Sequence, residues 1–315
     1  MMREPVDDPF SGIERDLEAI ERVALERSIS GNPATIKSLL SCVPVVYSDV
    51  DGTLTGPGGC FFLNAQREYT LESAQALVRA LRAELDIVLV SGRTKGQLFE
   101  NARFMGLRNY IAELGTETVY DLGEETVINA GSFGPNCTDV LARIVETGVL
   151  EWLEEQYPGQ LEPHLPWAAN RDCTPIFRGL VDLTELNLRM EEFAPGLILL
   201  DNGVIPWKSP TLRVSYTRAY HLMPRGVTKE LAVARDMERR GFERHNTIAI
   251  GDAEADLAFA AVVGVFFLVR NGLHASPRIL EQLPNYPNVF VTEHFLNEGW
   301  AEVINLLIDE QLCPS

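Results

Sequence analysis

The chain has 315 residues, 46% of them hydrophobic and 23% charged, a globular profile long enough for two domains. A net charge of −18 argues against broad binding to nucleic acid or an anionic membrane, so an anionic substrate needs a local positive site. Five scattered cysteines with no CxxC pair, a first stretch without an apolar run, and a longest apolar run (257–269) too short to span a bilayer point to a cytoplasmic protein with reduced thiols.

In chain order, residues 11–29 predict an amphipathic helix. Ser11 and Glu14 fit a capping box, and Ile13, Leu17, Ile20 and Ala24 recur at helical spacing. The expectation is a helical extension over 1–40 packed on the core, linked onward by "GNPATIKSLLSC". "VVYSDVDGTLTG" (45–56) opens as a buried strand and ends in two acids, Asp49 and Asp51, on a turn. "GPGGCFFLN" is a Gly-rich loop. Residues 70–85 predict a helix with Ala74, Leu77, Val78 and Leu81 on one face. "DIVLV" (86–90) is a strand ending in "SGRT", 97–105 a helix and "NYIAEL" (109–114) a third strand. Alternating strands and helices predict a parallel sheet with helical crossovers.

From Glu117 the alternation weakens. "TVYDLGEETVINAG" predicts a hairpin, 140–156 a helix, and 185–193 another. "TPIFRGLVDL", "GLILLDN" and "LRVSYT" read as strands. These make a mixed α+β unit over 119–221, inserted into a core of 41–118 and 222–315. Alternation resumes with a helix at 229–240, the strand "TIAIGD" (247–252), a helix from Ala255, the strand "VFFLV" (265–269) and a last helix over 300–312.

In an open parallel sheet, ligands bind at the carboxyl ends of the strands. Three strands end in polar residues: "YSDVD" (47–51), "LVSGR" (89–93) and "AIGDAEAD" (249–256). If they are neighbours, Asp49, Asp51, Ser91, Asp252 and Asp256 meet on one edge. Four carboxylates together call for a cation, and Mg²⁺ suits a few carboxylates with waters and a substrate phosphate. Ser91, nearby backbone N–H groups and Lys229 could then hold phosphate oxygens. Taken singly, each motif also fits a plain structure: an Asp-Gly turn, a strand-to-helix turn, a solvated lysine, or an acid-rich helix start. Their order and their placement after strands are what distinguish them.

With those residues in view, the sequence resembles the haloacid dehalogenase superfamily. Asp49-Val50-Asp51-Gly52-Thr53 matches its first motif and Ser91-Gly92-Arg93 its second. Lys229 in "PRGVTKELAV" matches the third, and Gly251-Asp252 with Asp256 the fourth. The resemblance spans 45–300 and points to the branch with a large α+β cap between motifs two and three, which holds sugar-phosphate phosphatases. Ala255 stands where many members have Asn, and the first 40 residues have no counterpart there.

The resemblance implies an α/β, Rossmann-like core with an inserted α+β cap, and a Mg²⁺-dependent phosphatase of a small phosphorylated metabolite. Asp49 would be the nucleophile and Asp51 the general acid and base. Asp49, the Asp51 carbonyl, Asp252 and Asp256 would serve the metal. Ser91, Gly92, Arg93 and Lys229 would bind phosphate, with Asn271 near the site. Selectivity would lie in the cap, where Arg171 and Arg178 either reach a second anionic group or pair with local acids. A phosphomutase on the same scaffold and a catalytically idle phosphate-binding regulator are the competing readings. A metal-free dehalogenase is disfavoured by the metal acids.

Overall fold

The computed structural model describes residues 16–205 and 209–313. Ser11, Ile13 and Glu14 of the expected capping box lie outside the described residues. Helix α1 (Leu17–Glu26) starts instead at Asp16, whose side chain accepts from the Ala19 N–H at 2.9 Å. It buries Ile20 and Ala24. Just beyond it, Arg27 donates to the carbonyls of Tyr286 (2.7 Å) and Leu283 (3.0 Å), and Ile29 donates to the carbonyl of Val291 (3.1 Å). The expected linker contains a second helix, α2 (Pro33–Leu39). Pro33 suits the first turn, where no N–H partner is needed, and Ile36 anchors it.

Strand β1 (Val45–Ser48) follows, then helix α3 (Glu72–Arg82). The buried face of α3 is Ser73, Ala76, Leu77 and Ala80, so of the expected face only Leu77 is buried; Val78 and Leu81 are 46% and 40% exposed. Small side chains and a Ser73 hydroxyl that donates to the Asn297 carbonyl (3.1 Å) let this helix lie close against the C-terminal helix. Next come β2 (Asp86–Val90), α4 (Lys95–Met105), β3 (Tyr110–Ala112), β4 (Glu117–Tyr120) and β5 (Glu125–Ile128). Helix α4 has a complete capping box between Thr94 and Gln97 and ends at Gly106 in the left-handed region, φ 74°.

The chain then runs through α5 (Val140–Glu146), α6 (Val149–Gln156), β6 (Leu161–Pro163), β7 (Ile176–Gly179), α7 (Leu183–Phe193), β8 (Leu197–Val204) and β9 (Arg218–Pro224). The single helix expected over 140–156 breaks at Gly148, φ 71°. "LRVSYT" (212–217) is not a strand; the strand is the next segment, β9. The four strands form an antiparallel sheet in the order β6-β7-β9-β8. One face of this sheet is covered by α5–α7 through Ile144, Leu153, Leu186 and Met190 packed on Phe177, Leu199 and Tyr220. The ends of the segment are tied together, since the Ser132 N–H donates to the Arg225 carbonyl at 2.9 Å.

The remainder is α8 (Lys229–Arg240), β10 (Thr247–Gly251), a 3₁₀ segment (Glu254–Ala261), β11 (Val265–Leu268), α9 (Asn271–Ala275), α10 (Pro277–Gln282), β12 (Val289–Val291) and α11 (Leu296–Asp309). The α-helix expected from Ala255 is thus 3₁₀, in which the buried pair Leu257 and Ala260, three apart, align on one side. The last helix begins four residues before Trp300.

The eight-stranded sheet has the order β12-β11-β10-β1-β2-β3-β4-β5, with every pair from β12 to β3 parallel. Side chains alternate between its faces. Val46, Ile87, Leu89, Ile248, Ile250 and Phe267 pack against α3, α4 and α11. Val45, Tyr47, Val88, Val90, Ala249 and Phe266 pack against α1, α8 and α10. A near-continuous apolar run in each central strand is what burial on both faces requires.

Among the described residues, 16–127 with 228–313 form one compact unit and 128–205 with 209–227 another. The insertion therefore starts at 128 rather than 119, because β4 and β5 belong to the large sheet, and ends at 227 rather than 221, because β9 runs to Pro224. Among the described residues no helix is long and apolar enough to cross a membrane.

Candidate active site

Register places the site. Ser48 of β1 is level with Leu89 of β2 on one side and Ile250 of β10 on the other. The chain leaves all three strands within two residues, so Asp49, Ser91 and Asp252 emerge side by side at the carboxyl edge of the sheet. The Asp49 N–H still donates to the Ile250 carbonyl at 2.9 Å, which holds this residue in the ladder.

Asp49, Lys229 and Asp256 are all buried. Lys229 is the first residue of α8, and its ammonium bridges the Asp49 Oδ1 at 2.6 Å and the Asp256 Oδ1 at 2.8 Å. Burial works against the charge on Lys229, but Asp256 and Asp49 more than offset it and hold its pKa above the ordinary lysine value. Asp49 is pushed well above the usual carboxylate range by burial, opposed by Lys229 and reinforced by Asp256 and Asp252. Asp252 is pushed up to about 7 by burial and by Asp256.

Asp252 is fixed from both sides. Its Oδ1 accepts from the Thr53 hydroxyl and its Oδ2 from the Asn271 amide, each at 2.9 Å. The same Asn271 amide donates to the Gly52 carbonyl at 2.9 Å. Gly52 has φ 86°, and a Cβ there would lie 2.4 Å from the Asp252 Oδ2, so only glycine fits. Ala255 stands where the resemblance has Asn; side-chain support for Asp252 comes from Thr53 and Asn271. Asp256 accepts from the backbone N–H groups of Asp252 (3.3 Å) and Ala253 (3.1 Å), so it holds the turn as well as Lys229.

Asp49, Asp252 and Asp256 offer carboxylate oxygens that all lie within 4.8 Å of one another. An all-oxygen donor set with two acids raised by crowding and burial fits a hard divalent cation such as Mg²⁺.

Asp51 has a different partner. Its side chain is 56% exposed and gripped by Arg93, Nε to Oδ2 at 2.7 Å and Nη2 to Oδ1 at 2.6 Å. Arg93 also donates from Nη1 to the Asn101 Oδ1 at 2.8 Å. Ser91 is buried, with its hydroxyl accepting from the Arg93 N–H at 3.2 Å. Gly92 lies in the turn between β2 and α4.

Of the arginines in the inserted unit, Arg171 and Arg178, the two named from sequence, are both engaged locally. Arg171 is buried and donates from Nε to the Thr174 carbonyl (2.5 Å) and from Nη2 to the Thr174 hydroxyl (3.1 Å). Arg178 pairs with Glu162 at 2.6 Å.

No family model matches the chain. A phosphoglycolate phosphatase of Methanothrix thermoacetophila is 24% identical over 263 residues, 84% of this chain and 96% of the relative. A haloalkanoate (HAD) superfamily phosphatase from Bacteroides thetaiotaomicron superposes with a TM-score of 0.58 at 14% identity, covering 87% of this chain and 97% of that one. The sucrose-phosphatase of Synechocystis, solved with sucrose and phosphate, gives 0.57 at 15% identity, over 84% and 97%. The chain has the haloacid dehalogenase (HAD) fold.

Within this HAD fold, Asp49, Lys229, Asp252 and Asp256 lie together, and Ser91 follows the strand next to β1. Thr53 and Asn101 were not singled out from sequence. Thr53 sat inside the first motif and its polar side chain was the available signal. Asn101 lies on a helix eight residues after Arg93 with nothing local to mark it.

Proposed function

We propose that the chain is a Mg²⁺-dependent phosphatase of a small phosphorylated metabolite, with sugar phosphates as the favoured class, acting through an aspartyl-phosphate on Asp49. The observation that carries this reading is the buried Lys229 bridging Asp49 and Asp256 beside Asp252, at the carboxyl edge of the central strands. Lys229 counters part of the burial that pushes Asp49 toward its neutral form. The Asp49 carboxylate oxygen forms a bond to phosphorus, and the bond from phosphorus to the substrate oxygen breaks with its electron pair going to that oxygen. Asp51, two residues on and exposed, supplies the proton to the departing alcohol. In the second step Asp51 takes a proton from water as the water oxygen attacks phosphorus, and Asp49 leaves as a carboxylate. Ser91 and Lys229 hold phosphoryl oxygens. Asp49, Asp252 and the Asp51 carbonyl would hold the Mg²⁺, which supplies charge neutralisation that lets an anion approach a phosphate. Asp256, already engaged by Lys229 and two backbone N–H groups, supports this set.

One relative is named a phosphoglycolate phosphatase and another is a sucrose-phosphatase solved with sucrose and phosphate, in line with this class of substrate. Every phosphate-handling residue lies in the sheet unit, so the inserted unit, residues 128–227, is assigned substrate selectivity. The test is phosphate release from p-nitrophenyl phosphate and a panel of sugar phosphates, in chelator and in Mg²⁺, by wild type and Asp49→Asn. Activity that needs Mg²⁺ and falls to near background in Asp49→Asn supports the reading. Full activity in chelator, or more than about a tenth of the activity in Asp49→Asn, overturns it, since covalent catalysis has no spare nucleophile here.

A further inference from the structure

The resemblance placed Arg93 among phosphate ligands, but its guanidinium is otherwise committed. A guanidinium takes a phosphate or carboxylate in its two-pronged form through paired N–H groups, and the Nε–Nη2 edge is the one facing Asp51. Both Asp51 oxygens are used, one per prong. The remaining nitrogen is anchored to Asn101 on α4. Arg93 itself is only 19% exposed, whereas the carboxylate it holds is 56% exposed. The pair is therefore a fixed arginine presenting a carboxylate toward solvent.

The loop between β1 and α3 is built around this pair. Gly59 has φ 73°, and a Cβ there would come within 2.8 Å of the Arg93 Nη2 and 3.5 Å of the Asp51 Oδ1. The backbone of Asp51 is bridged to Thr55 in the same loop. Three elements thus meet on one carboxylate: the β1 turn that carries it, the β2 turn that carries Arg93, and the Gly59 loop that packs over both. An isolated aspartate on a turn would sample several rotamers; this one has its plane set by a rigid fork.

We propose that Arg93 is a positioning residue for Asp51, orienting the carboxyl group that protonates the leaving alcohol, and not a ligand of the transferring phosphate. This rests on the phosphatase reading above. It makes a prediction that a phosphate ligand would not share. Nitrophenolate leaves without help from an acid, whereas an alkoxide does not. Damage to Asp51 orientation should therefore fall on substrates with poor leaving groups, and damage to phosphate binding should fall on all substrates alike.

The experiment measures kcat/KM for p-nitrophenyl phosphate and for an alkyl or sugar phosphate in wild type, Arg93→Ala, Arg93→Lys and Asn101→Ala, each checked for folding by its thermal midpoint. Because kcat/KM reports steps up to departure of the alcohol, it isolates the acid-assisted step. Arg93→Ala is expected to lose about 10- to 100-fold on the alkyl phosphate, a part of the 10²–10⁴ that a general acid supplies, and less than about 3-fold on p-nitrophenyl phosphate. Arg93→Lys should fail to rescue, because a lysine is a point charge without the fork. Asn101→Ala should show the same leaving-group bias at smaller size, and keeps the test open if Arg93→Ala does not fold. Equal losses on both substrates would make Arg93 a phosphate ligand and overturn the inference, as would no loss on either. A wild-type protein that hydrolyses neither substrate in Mg²⁺ would overturn the phosphatase reading itself, an outcome distinct from both.

Discussion

Replacing Lys229 with Met tests the electrostatic core of the site without touching its shape. Methionine matches the length of the lysine stem but leaves Asp49 and Asp256, 6% and 0% exposed, with no cation. Breaking a buried pair in this way costs about 3–5 kcal/mol. An independent figure comes from the repulsion left behind: two unit charges 4.8 Å apart, the outer bound on the acid oxygens here, repel by about 3.5 kcal/mol at an effective dielectric constant of 20. For a unit of this size each kcal/mol shifts the unfolding midpoint by about 2–4 °C, so a drop of roughly 6–20 °C is expected in chelator. Adding Mg²⁺ should stabilise Lys229→Met more than wild type, because the cation takes over the missing charge. Combining Lys229→Met with Asp256→Asn should recover part of the loss, since one of the two stranded charges is gone. Thermal unfolding followed by circular dichroism, with and without Mg²⁺, reads all three. A Lys229→Met midpoint within 2 °C of wild type in chelator would refute the reasoning, because it would mean that the lysine offsets no buried charge.

Asn271→Ala removes the amide that ties Asp252 to Gly52 and should raise the Mg²⁺ concentration for half-maximal activity by about 10–100-fold, read from a Mg²⁺ titration; an unchanged titration would take Asn271 out of the metal's support. Gly52→Ala puts a Cβ 2.4 Å from the Asp252 carboxylate at φ 86°, so it should lower stability by about 1–3 kcal/mol of strain and weaken Mg²⁺ binding together; a normal Mg²⁺ requirement would show that the turn can relax. In the inserted unit, His164 is pushed down to about 4 by burial and by Arg178 and Arg171, against Glu162. Its folded pKa lies below its unfolded one, so its contribution is complete above about 6.5 and is lost as pH falls from there toward 4. Urea midpoints at pH 7.5, 6 and 5 should fall in wild type and fall less in His164→Gln; parallel curves would count against this.

The central strands were legible because burial on both faces leaves an unmistakable apolar run, and because each run stops at a polar turn. That is why the sequence alone places Asp49, Ser91 and Asp252 on one edge. The last antiparallel strand, Arg218–Pro224, escaped for a related reason. Six of its seven residues are buried, yet it carries Tyr, His and Arg among its apolar groups, so neither alternation nor a clean apolar run marks it. The face of α3 was misjudged because its packing uses small side chains, and a periodicity weighted toward Leu and Val points to the wrong side. The role of Arg93 could not be read because its partner lies 42 positions away, and a motif that names a residue does not name what the residue holds.

The tie between Ser132 and Arg225 bears on how such a chain can assemble. Strand β1 pairs with β2 across roughly 40 residues but with β10 across roughly 200, which by chain entropy alone makes the second closure costlier by about 1.4 kcal/mol. Residues 128–227 have their own core and bring their own ends together, so once folded they act as a staple that removes about half of that separation. Early folding of this unit would deliver Lys229, the second residue past its end, close to the sheet before β10 arrives. Chain order then has a chemical consequence: of the charged groups that surround Asp49 in the folded site, Lys229 is the first to follow it along the chain, ahead of Asp252 and Asp256.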